Sequence, residues 1–407
     1  MKPKLFLITK DFPIGHNEDS FVKPEYPYLC QDFQVEVIPA ESDPYQIQTL
    51  GEKMISFLRF LFERDCYREL WSIFKDRKKV LPRCYRALMF GTAAESFYRK
   101  LKKATGLDRT SRAIYYFYWY DYRCFGLTMH KSRYPNIRIV ARTHGYDLYD
   151  ERELYGRQFF KPQMDEKLER LIFAAQYAKD YYLERYHKED GAKYPLHRLG
   201  VSDKNITASD LEKRKKKGGE PFLLLSCSHA ITIKRVDRII VGLSGIPDDR
   251  KIKWVHIGGG DQLEQLCRQA EQELGRKANI EYTFTGARTN EQVLAFYQQN
   301  AVDCFITTTS TEGGAPVSVQ EALSYAVPVI SAKIGELPQM VRGNGVLLSE
   351  EAQPQEVTEA IMKMYSLRNQ EAYVEMCKKS LEIYHEKFDS DRNFKEAANE
   401  LKQLMKE

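Results

Sequence analysis

The sequence predicts an α/β protein built as two halves, each a parallel sheet with helices on both faces. Short apolar runs alternate with helical patterns along the chain. A polar, charged stretch at 203–220 interrupts that alternation and closes on two glycines, and a second series of apolar runs begins at once with Phe222. A length of 407 residues fits two or three domains at ~100–200 residues each. The hydrophobic share of 43% and charged share of 29% are those of a soluble globular chain.

In order, residues 4–9 read as a first buried strand, with an apolar run too short for a signal-peptide core. Residues 33–39 read as a second strand, and 45–105 as mainly helical. The aromatic run 114–119 is strand-like, and 137–142 is a strand ending at Thr143-His144-Gly145. Residues 165–183 are helical in pattern, interrupted by the apolar 171–173. The basic run at 213–217 has linker composition and reads as solvated. Beyond it, strands are expected at 222–227, 252–257, 282–285, 303–307 and 328–331. Open parallel sheets take ligands at the carboxyl ends of their strands, so the expected site is a cleft between the halves.

Composition excludes several classes. No stretch approaches the ~18 uncharged apolar residues of a membrane span. The eight cysteines form no C-x-x-C pair, which argues against a zinc site or a disulfide framework and for a reducing cytosol. There is no G-x-G-x-x-G with an acidic partner, no Walker A loop, no G-x-S-x-G and no H-E-x-x-H. The net charge is +5, but between Lys75 and Arg112 twelve Lys and Arg face three acids. Aromatic and aliphatic residues from Met54 to Tyr98 interleave with these cations. Such a segment fits contact with an anionic membrane, and equally a cationic outer face over an aromatic core. Nucleic acid is the weakest partner, since no helix-turn-helix, zinc-finger or RNP signature is present.

Four strand-end loops carry the chemistry. Ser310–Ile330 reads as strand end, glycine turn, helix and strand, with Pro316 at the first helical position and Glu321 one turn in. Such a turn suits an anion such as a diphosphate. On spacing alone it fits an ordinary Gly-Pro turn with a surface glutamate just as well. His144-Gly145-Tyr146-Asp147 reads as a mobile, polar loop tip whose neutral imidazole could bond a sugar hydroxyl. Lys234 and Arg235 stand at a helix start, where cations oppose the helix dipole, and could hold a leaving diphosphate. Gly258-Gly259-Gly260 permits close backbone approach to a ligand.

Taken together and in order, K-R-V-D at 234–237, W-V-H-I-G-G-G at 254–260, F-T-G at 284–286, E-G-G-A-P-V-S-V-Q-E-A-L at 312–323 and P-V-I at 328–330 resemble the retaining glycosyltransferases of family 4. In the first half, D-F-P at 11–13, N-E-D-S-F-V at 17–22 and R-T-H-G-Y-D-L-Y at 142–149 look like members that build bacterial exopolysaccharide, capsule or lipopolysaccharide. The resemblance implies a GT-B fold: two Rossmann-like, doubly wound domains facing an interdomain cleft. It places an acceptor-side domain at 1–205, a nucleotide-sugar domain at 206–384, and a C-terminal helix near 385–407 packed back on the first.

By position it implies that Glu321 holds the donor ribose, Glu312 with the Gly313 and Gly314 amides faces the donor sugar, and Lys234 with Arg235 neutralises the diphosphate. His144 would contact the transferred sugar. The loop from Gly15 to Glu18 would approach the diphosphate and acceptor, Gly258 would line the donor pocket, and Gly286 to Arg288 would lie near the nucleobase. No metal and no cofactor is implied. The expected activity is retaining transfer from a UDP- or GDP-sugar to a glycan or lipid-linked acceptor, in the cytoplasm or at the inner face of the membrane. The alternatives are a catalytically weak nucleotide- or sugar-binding scaffold of an assembly complex and a sugar-nucleotide epimerase. Two departures from the family pattern stand out. Eight residues, where seven are usual, separate Glu312 from Glu321, and Ser228-His229 replaces a common arginine.

Overall fold

The structure, a computed structural model, describes residues 2–15, 18, 21–42, 49–212 and 220–406. The basic run at 213–217 and residues 16, 17, 19 and 20 of the first loop lie outside the described residues. The chain divides into two compact units, Met1–Arg198 with Arg392–Glu407, and Leu199–Asp391. The second unit begins at Leu199 rather than 206 because Val201 N donates to Phe388 O (3.0 Å) and Ser390 N to Val201 O (3.2 Å). Those bonds tie the start of the linker to the 388–390 turn.

The first unit contains β1 (Lys4–Thr9), α1 (Val22–Asp32), β2 (Gln34–Pro39), α2 (Leu50–Leu61), α3 (Arg64–Asp76), α4 (Val80–Thr105), β3 (Ile114–Phe117), α5 (Tyr122–Thr128), β4 (Arg138–Thr143), α6 (Lys161–Asp165), β5 (Arg170–Phe173) and α7 (Gln176–Arg185). Its sheet is parallel throughout, in the order β2-β1-β3-β4-β5. The run 171–173 is therefore a strand between two helices, not a break within one, because both its faces are covered. Leu171 and Phe173 enter one core and Ile172 the other. The same period-2 division holds along the sheet. Phe6, Ile8, Tyr115, Phe117, Ile139 and Ala141 pack with Phe60, Ile73 and Ala87 of α2–α4. Leu5, Leu7, Ile114, Tyr116 and Val140 pack on the opposite face.

The second unit contains α8 (Ala208–Glu212), β6 (Phe222–Cys227), α9 (Val236–Ser244), β7 (Ile252–Ile257), α10 (Leu263–Leu274), β8 (Ile280–Phe284), α11 (Asn290–Gln299), β9 (Cys304–Thr307), α12 (Val317–Ser324), β10 (Val329–Ala332), α13 (Leu337–Met340), β11 (Gly345–Leu348), α14 (Pro354–Leu367) and α15 (Glu371–Lys387). Its parallel sheet runs β11-β10-β9-β6-β7-β8. The inner strands β6, β7, β9 and β10 are largely buried on both sides, under α9, α10 and α14 on one face and α11 and α12 on the other, with α15 contributing to both cores. Strand β11 at the sheet edge has no sequence expectation behind it, because only Leu348 of its four residues is buried.

The last helix, α16 (Ser390–Leu404), returns to the first unit. Its Ala398, Leu401 and Leu404 complete the core of Leu5, Val22 and Leu29. Lys402 pairs with Asp32, and Glu400 with Arg170 at 3.1 Å and with His197. It starts at Ser390 rather than 385 because α15 continues through Lys387.

One polar cluster crosses the core of the first unit. Arg142 of β4 lies 3.1 Å from Glu25 of α1, and both side chains are fully buried. Arg142 also donates to Tyr116 Oη (2.8 Å) and His197 O (3.0 Å), while Tyr118 Oη donates to Glu25 at 2.9 Å. A buried pair is tolerated only when its remaining donors and acceptors are satisfied, as they are here. Arg142→Met is expected to destabilise the first unit by about 3–5 kcal/mol in urea unfolding, because it strands Glu25. Adding Glu25→Leu is expected to recover most of that loss.

Candidate functional site

In the second unit, β6 has β7 on one side and β9 on the other, so the winding of the sheet reverses between β6 and β9. Ligands of such sheets bind outside the strand carboxyl ends at that reversal. Strand β6 leads through a tight turn at Thr232–Lys234 into α9, and β9 leads into the 308–316 loop and α12. Hydrogen bonds hold these two loops together. Ser310 N donates to Ile233 O (2.8 Å), and the Thr308 hydroxyl to Arg235 O (2.7 Å). On this frame Lys234 Nζ ion-pairs with Glu312. Two residues singled out from separate motifs, 78 positions apart, therefore meet at the reversal. Arg235 turns the chain with φ 49° and pairs with Asp237 at 2.9 Å, so an acid in the first turn of α9 offsets the cation there.

Beyond Glu312 the chain bends at 313–315. Pro316 is the residue just before α12 rather than its first helical position, and Val319 N donates to its carbonyl at 3.1 Å. Glu321 is 3% exposed and accepts from Asn290 Nδ2 at 2.5 Å. Burial pushes its carboxyl up to about 7, opposed by the Asn290 bond and the Lys204 charge. Asn290 is held at the first position of α11 by a reciprocal capping box between Thr289 and Gln292. Lys204 Nζ donates to Ser202 Oγ (2.7 Å) and lies 5.5 Å from the Tyr325 ring centre. Lys204 also lines an open cavity of about 820 Å³ with Asp210, Tyr297, Asn300 and Tyr325.

The triple glycine has a structural cause. Gly258 has φ 150°, and a Cβ there would fall 1.8 Å from Ser228 O, so the close approach is made by the loop after β6. Gly258 N donates to Gly286 O at 3.0 Å, joining two of the sequence-derived positions. Arg288, two residues on, is exposed.

In the first unit, the sheet reverses between β1 and β3, and His144 follows the adjacent β4. The His144 loop is tied down, contrary to the mobile tip expected from its composition. The buried Asp147 carboxylate accepts from His144 N (2.6 Å) and from Tyr120 N (2.7 Å) after β3. His144 Nε2 lies 3.1 Å from Tyr118 O. A carbonyl only accepts, so Nε2 carries the proton and Nδ1 is left as an acceptor. Burial, then the Arg142 and Lys10 charges, lowers the imidazole to about 3, which keeps it neutral at physiological pH. Its ring lies 4.3 Å from that of Trp119 and 5.5 Å from that of Tyr118.

Of the loop after β1, Gly15 N donates to Asp11 O at 2.9 Å. Buried Glu18 is occupied internally. One oxygen accepts from the N–H groups of Lys10, Asp11 and Phe12 at 2.9–3.0 Å, and the other from Trp119 Nε1 at 2.7 Å. Lys10 Nζ in turn lies over Trp119 (4.1 Å) and Tyr146 (4.0 Å).

Sequence reasoning missed Asn290, Lys204, Lys10 and Trp119. Asn290 had only its place behind a capping threonine, and Lys204 was hidden in linker composition. Among the described residues no group of three or more His, Cys, Asp or Glu side chains could hold a metal ion. All eight cysteines are free thiols.

Residues 208–380 match the family model described as glycosyl transferases group 1. No curated protein sequence matches the chain. Among solved structures, a glycosyltransferase from Rickettsia africae superposes with a TM-score of 0.67 at 11% identity, covering 99% of this chain and 98% of its own. The lipopolysaccharide outer core galactosyltransferase WaaB gives 0.64 at 16%, covering 98% and 99%. HepE of Anabaena in complex with UDP gives 0.63 at 16%, covering 99% and 100%. Both sheets, their order and these superpositions define a GT-B fold of two Rossmann-like domains. A glycosyl transferase group 1 domain, matched over residues 208–380, thus lies within a chain of GT-B fold.

Proposed function

We propose that the chain transfers a sugar, with retention at the anomeric carbon, from a UDP- or GDP-sugar to a glycan or lipid-linked acceptor in bacterial cell-surface polysaccharide synthesis, as a family 4 enzyme. The observation that carries this reading is the Lys234–Glu312 pair at the reversal between β6 and β9. An ammonium fixed there suits the charge that develops on a departing diphosphate, and the glycine bend before α12 adds backbone N–H groups and a positive dipole end. Glu312 then faces the donor sugar. Buried Glu321, steered by Asn290, accepts from ribose hydroxyls, and Gly258, Gly286 and Arg288 form the nucleobase side. In the first unit, the free Nδ1 of neutral His144 accepts a hydroxyl of the transferred sugar, and the turn at Gly15 serves the acceptor.

We place the protein in the cytoplasm, peripheral to the inner face of the membrane. HepE has been solved with UDP-glucose and with UDP and glucose, which supports a nucleotide-sugar donor here by analogy of fold.

Incubation with a panel of nucleotide sugars, with and without lipid-linked acceptors, tests the reaction through nucleotide release. Lys234→Ala is expected to lower kcat about 10²–10³-fold with the fold intact by circular dichroism, as loss of a group that stabilises developing charge should. Tight nucleotide binding with no turnover on any acceptor would favour the scaffold, and conversion of the sugar nucleotide without acceptor would favour the epimerase.

The raised carboxyl of Glu321 gives a second expectation. A carboxyl whose folded value of about 7 exceeds its ordinary 4.5 binds an extra proton in the fold between those values. The unliganded protein therefore loses stability as pH rises through that window. Ribose hydroxyls require the charged form, so nucleotide binding expels the proton. Calorimetric titration is expected to show affinity weakening about tenfold per pH unit below 7 and level above it, with the slope absent in Glu321→Gln. An unchanged slope in that variant would remove Glu321 from the ribose.

A further inference from the structure

Helices α2, α3 and α4 bury one side against the first sheet through Phe60, Cys66, Ile73 and Ala87. Their outer sides are not polar. On α2, Leu50, Met54 and Leu58 recur every four residues and continue into Phe62, which is 86% exposed. On α3, Tyr67, Trp71 (64%) and Phe74 occupy one stripe at i, i+4 and i+7. Leu81 (82%), Tyr85 and Met89 repeat the pattern on α4. Both α2 and α3 pack against α4, so the three stripes belong to one helical layer. Most of the large apolar side chains exposed on the described residues lie in this layer, a concentration that scattered surface hydrophobics do not produce.

The charges on this layer point to one kind of partner. Its acids are neutralised within the unit: Glu52 by Lys100 (3.6 Å), Glu63 by Arg133 (3.5 Å), Asp65 by Lys167 (2.7 Å), Glu69 by Arg157 (2.8 Å) and Asp76 by Arg83. Exposed Lys53, Arg59, Arg64, Arg77, Lys78 and Lys79 form no ion pair among the described residues. Lys75 holds its ammonium over the Trp71 ring, 5.4 Å from the ring centre. Arg77 and Lys79 both take left-handed conformations, which fold the 77–79 cations into a tight corner between α3 and α4.

Aromatic side chains flanked by unneutralised cations match the boundary between acyl chains and anionic headgroups. No described helix is long and apolar enough to cross a membrane, so the contact is peripheral.

We propose that the outer layer of α2, α3 and the first half of α4 is a docking face for an anionic lipid bilayer, with Phe62, Trp71, Phe74 and Leu81 entering the interface and the 75–79 cations meeting the headgroups. The proposal deepens the membrane placement made above and does not rest on the chemistry of transfer.

Co-sedimentation of the full chain with vesicles tests it. Phosphatidylcholine alone is compared with mixtures containing about one-third phosphatidylglycerol, at low salt and at ~0.5 M. Binding is expected only to the anionic vesicles, and it should weaken more than about tenfold in high salt. Trp71→Ser with Phe74→Ser, and separately Lys75→Glu with Lys78→Glu and Lys79→Glu, are each expected to weaken it comparably. Nucleotide affinity and turnover on a soluble acceptor should be unchanged in both variants, which separates this proposal from the transfer reading. Absence of binding, or binding indifferent to both variants, overturns it. Concentration-dependent self-association by light scattering, lost in Trp71→Ser with Phe74→Ser and accompanied by no vesicle binding, would assign the face to a second copy instead.

Discussion

A parallel sheet delivers all of its strands to one edge, where the chain must turn and its backbone groups leave the ladder. Those groups still need partners, since an unpaired buried N–H costs as much as a lost hydrogen bond. In the first unit, buried carboxylates supply them. Glu18 accepts three consecutive N–H groups after β1, and Asp147 joins the exits of β3 and β4 by accepting from Tyr120 and His144. The position of His144, its fixed tautomer and its neutrality follow from this, because the backbone it hangs from has no latitude. Lys10 is placed in the same way, its own N–H held by Glu18 while its ammonium rests between two rings.

The second unit meets the same requirement with hydroxyls and carbonyls at the edge and keeps its carboxylates for other contacts. Thr308, Thr309 and Ser310 stitch the loop after β9 to the turn before α9, which leaves Glu312 to face Lys234. That pair is only 19% and 11% exposed, so the cost of desolvating both charges offsets much of their attraction and its net contribution to stability is small. A weakly held pair at the reversal of the sheet suits exchange: a diphosphate carries more charge than one carboxylate and can take its place beside the ammonium. Glu321 is the opposite case. It is buried, raised toward neutrality and steered by one amide, so its charge is costly until a ligand's donors arrive.

Much of this architecture was legible in the chain. Strands with both faces buried read as continuous apolar runs, and β1, β3, β4, β6, β7 and β9 fall where those runs lie. Strand β5 was obscured because helices flank a run of only three apolar residues, and β11 because a half-exposed edge strand has little apolar signature. Among site residues, those on glycine-punctuated loops stood out, since close backbone approach demands a rare residue. Gly258 illustrates the ambiguity: the demand is real, but Ser228 O creates it. Asn290 and Lys204 left no such trace, because their contacts with the surroundings of Glu321 depend on packing across the sheet.

The outer helices of the first unit show why composition alone could not choose between a cationic surface over an aromatic core and a surface that seeks lipid. Aromatic residues are needed inside as well as outside. Phe90, Phe125 and Phe160 cluster at 4.2–6.1 Å around the inner faces of these helices, and Phe60 fills the space against Gly91. Counting rings along 54–98 therefore mixes two populations. The fold separates them: one set closes the core, while Phe62, Trp71 and Phe74 remain outside beside cations that no described carboxylate neutralises. Internal packing accounts for the first set and leaves the second exposed among the described residues, and the anionic bilayer proposed above would supply both the acyl surface and the charge that this second set lacks.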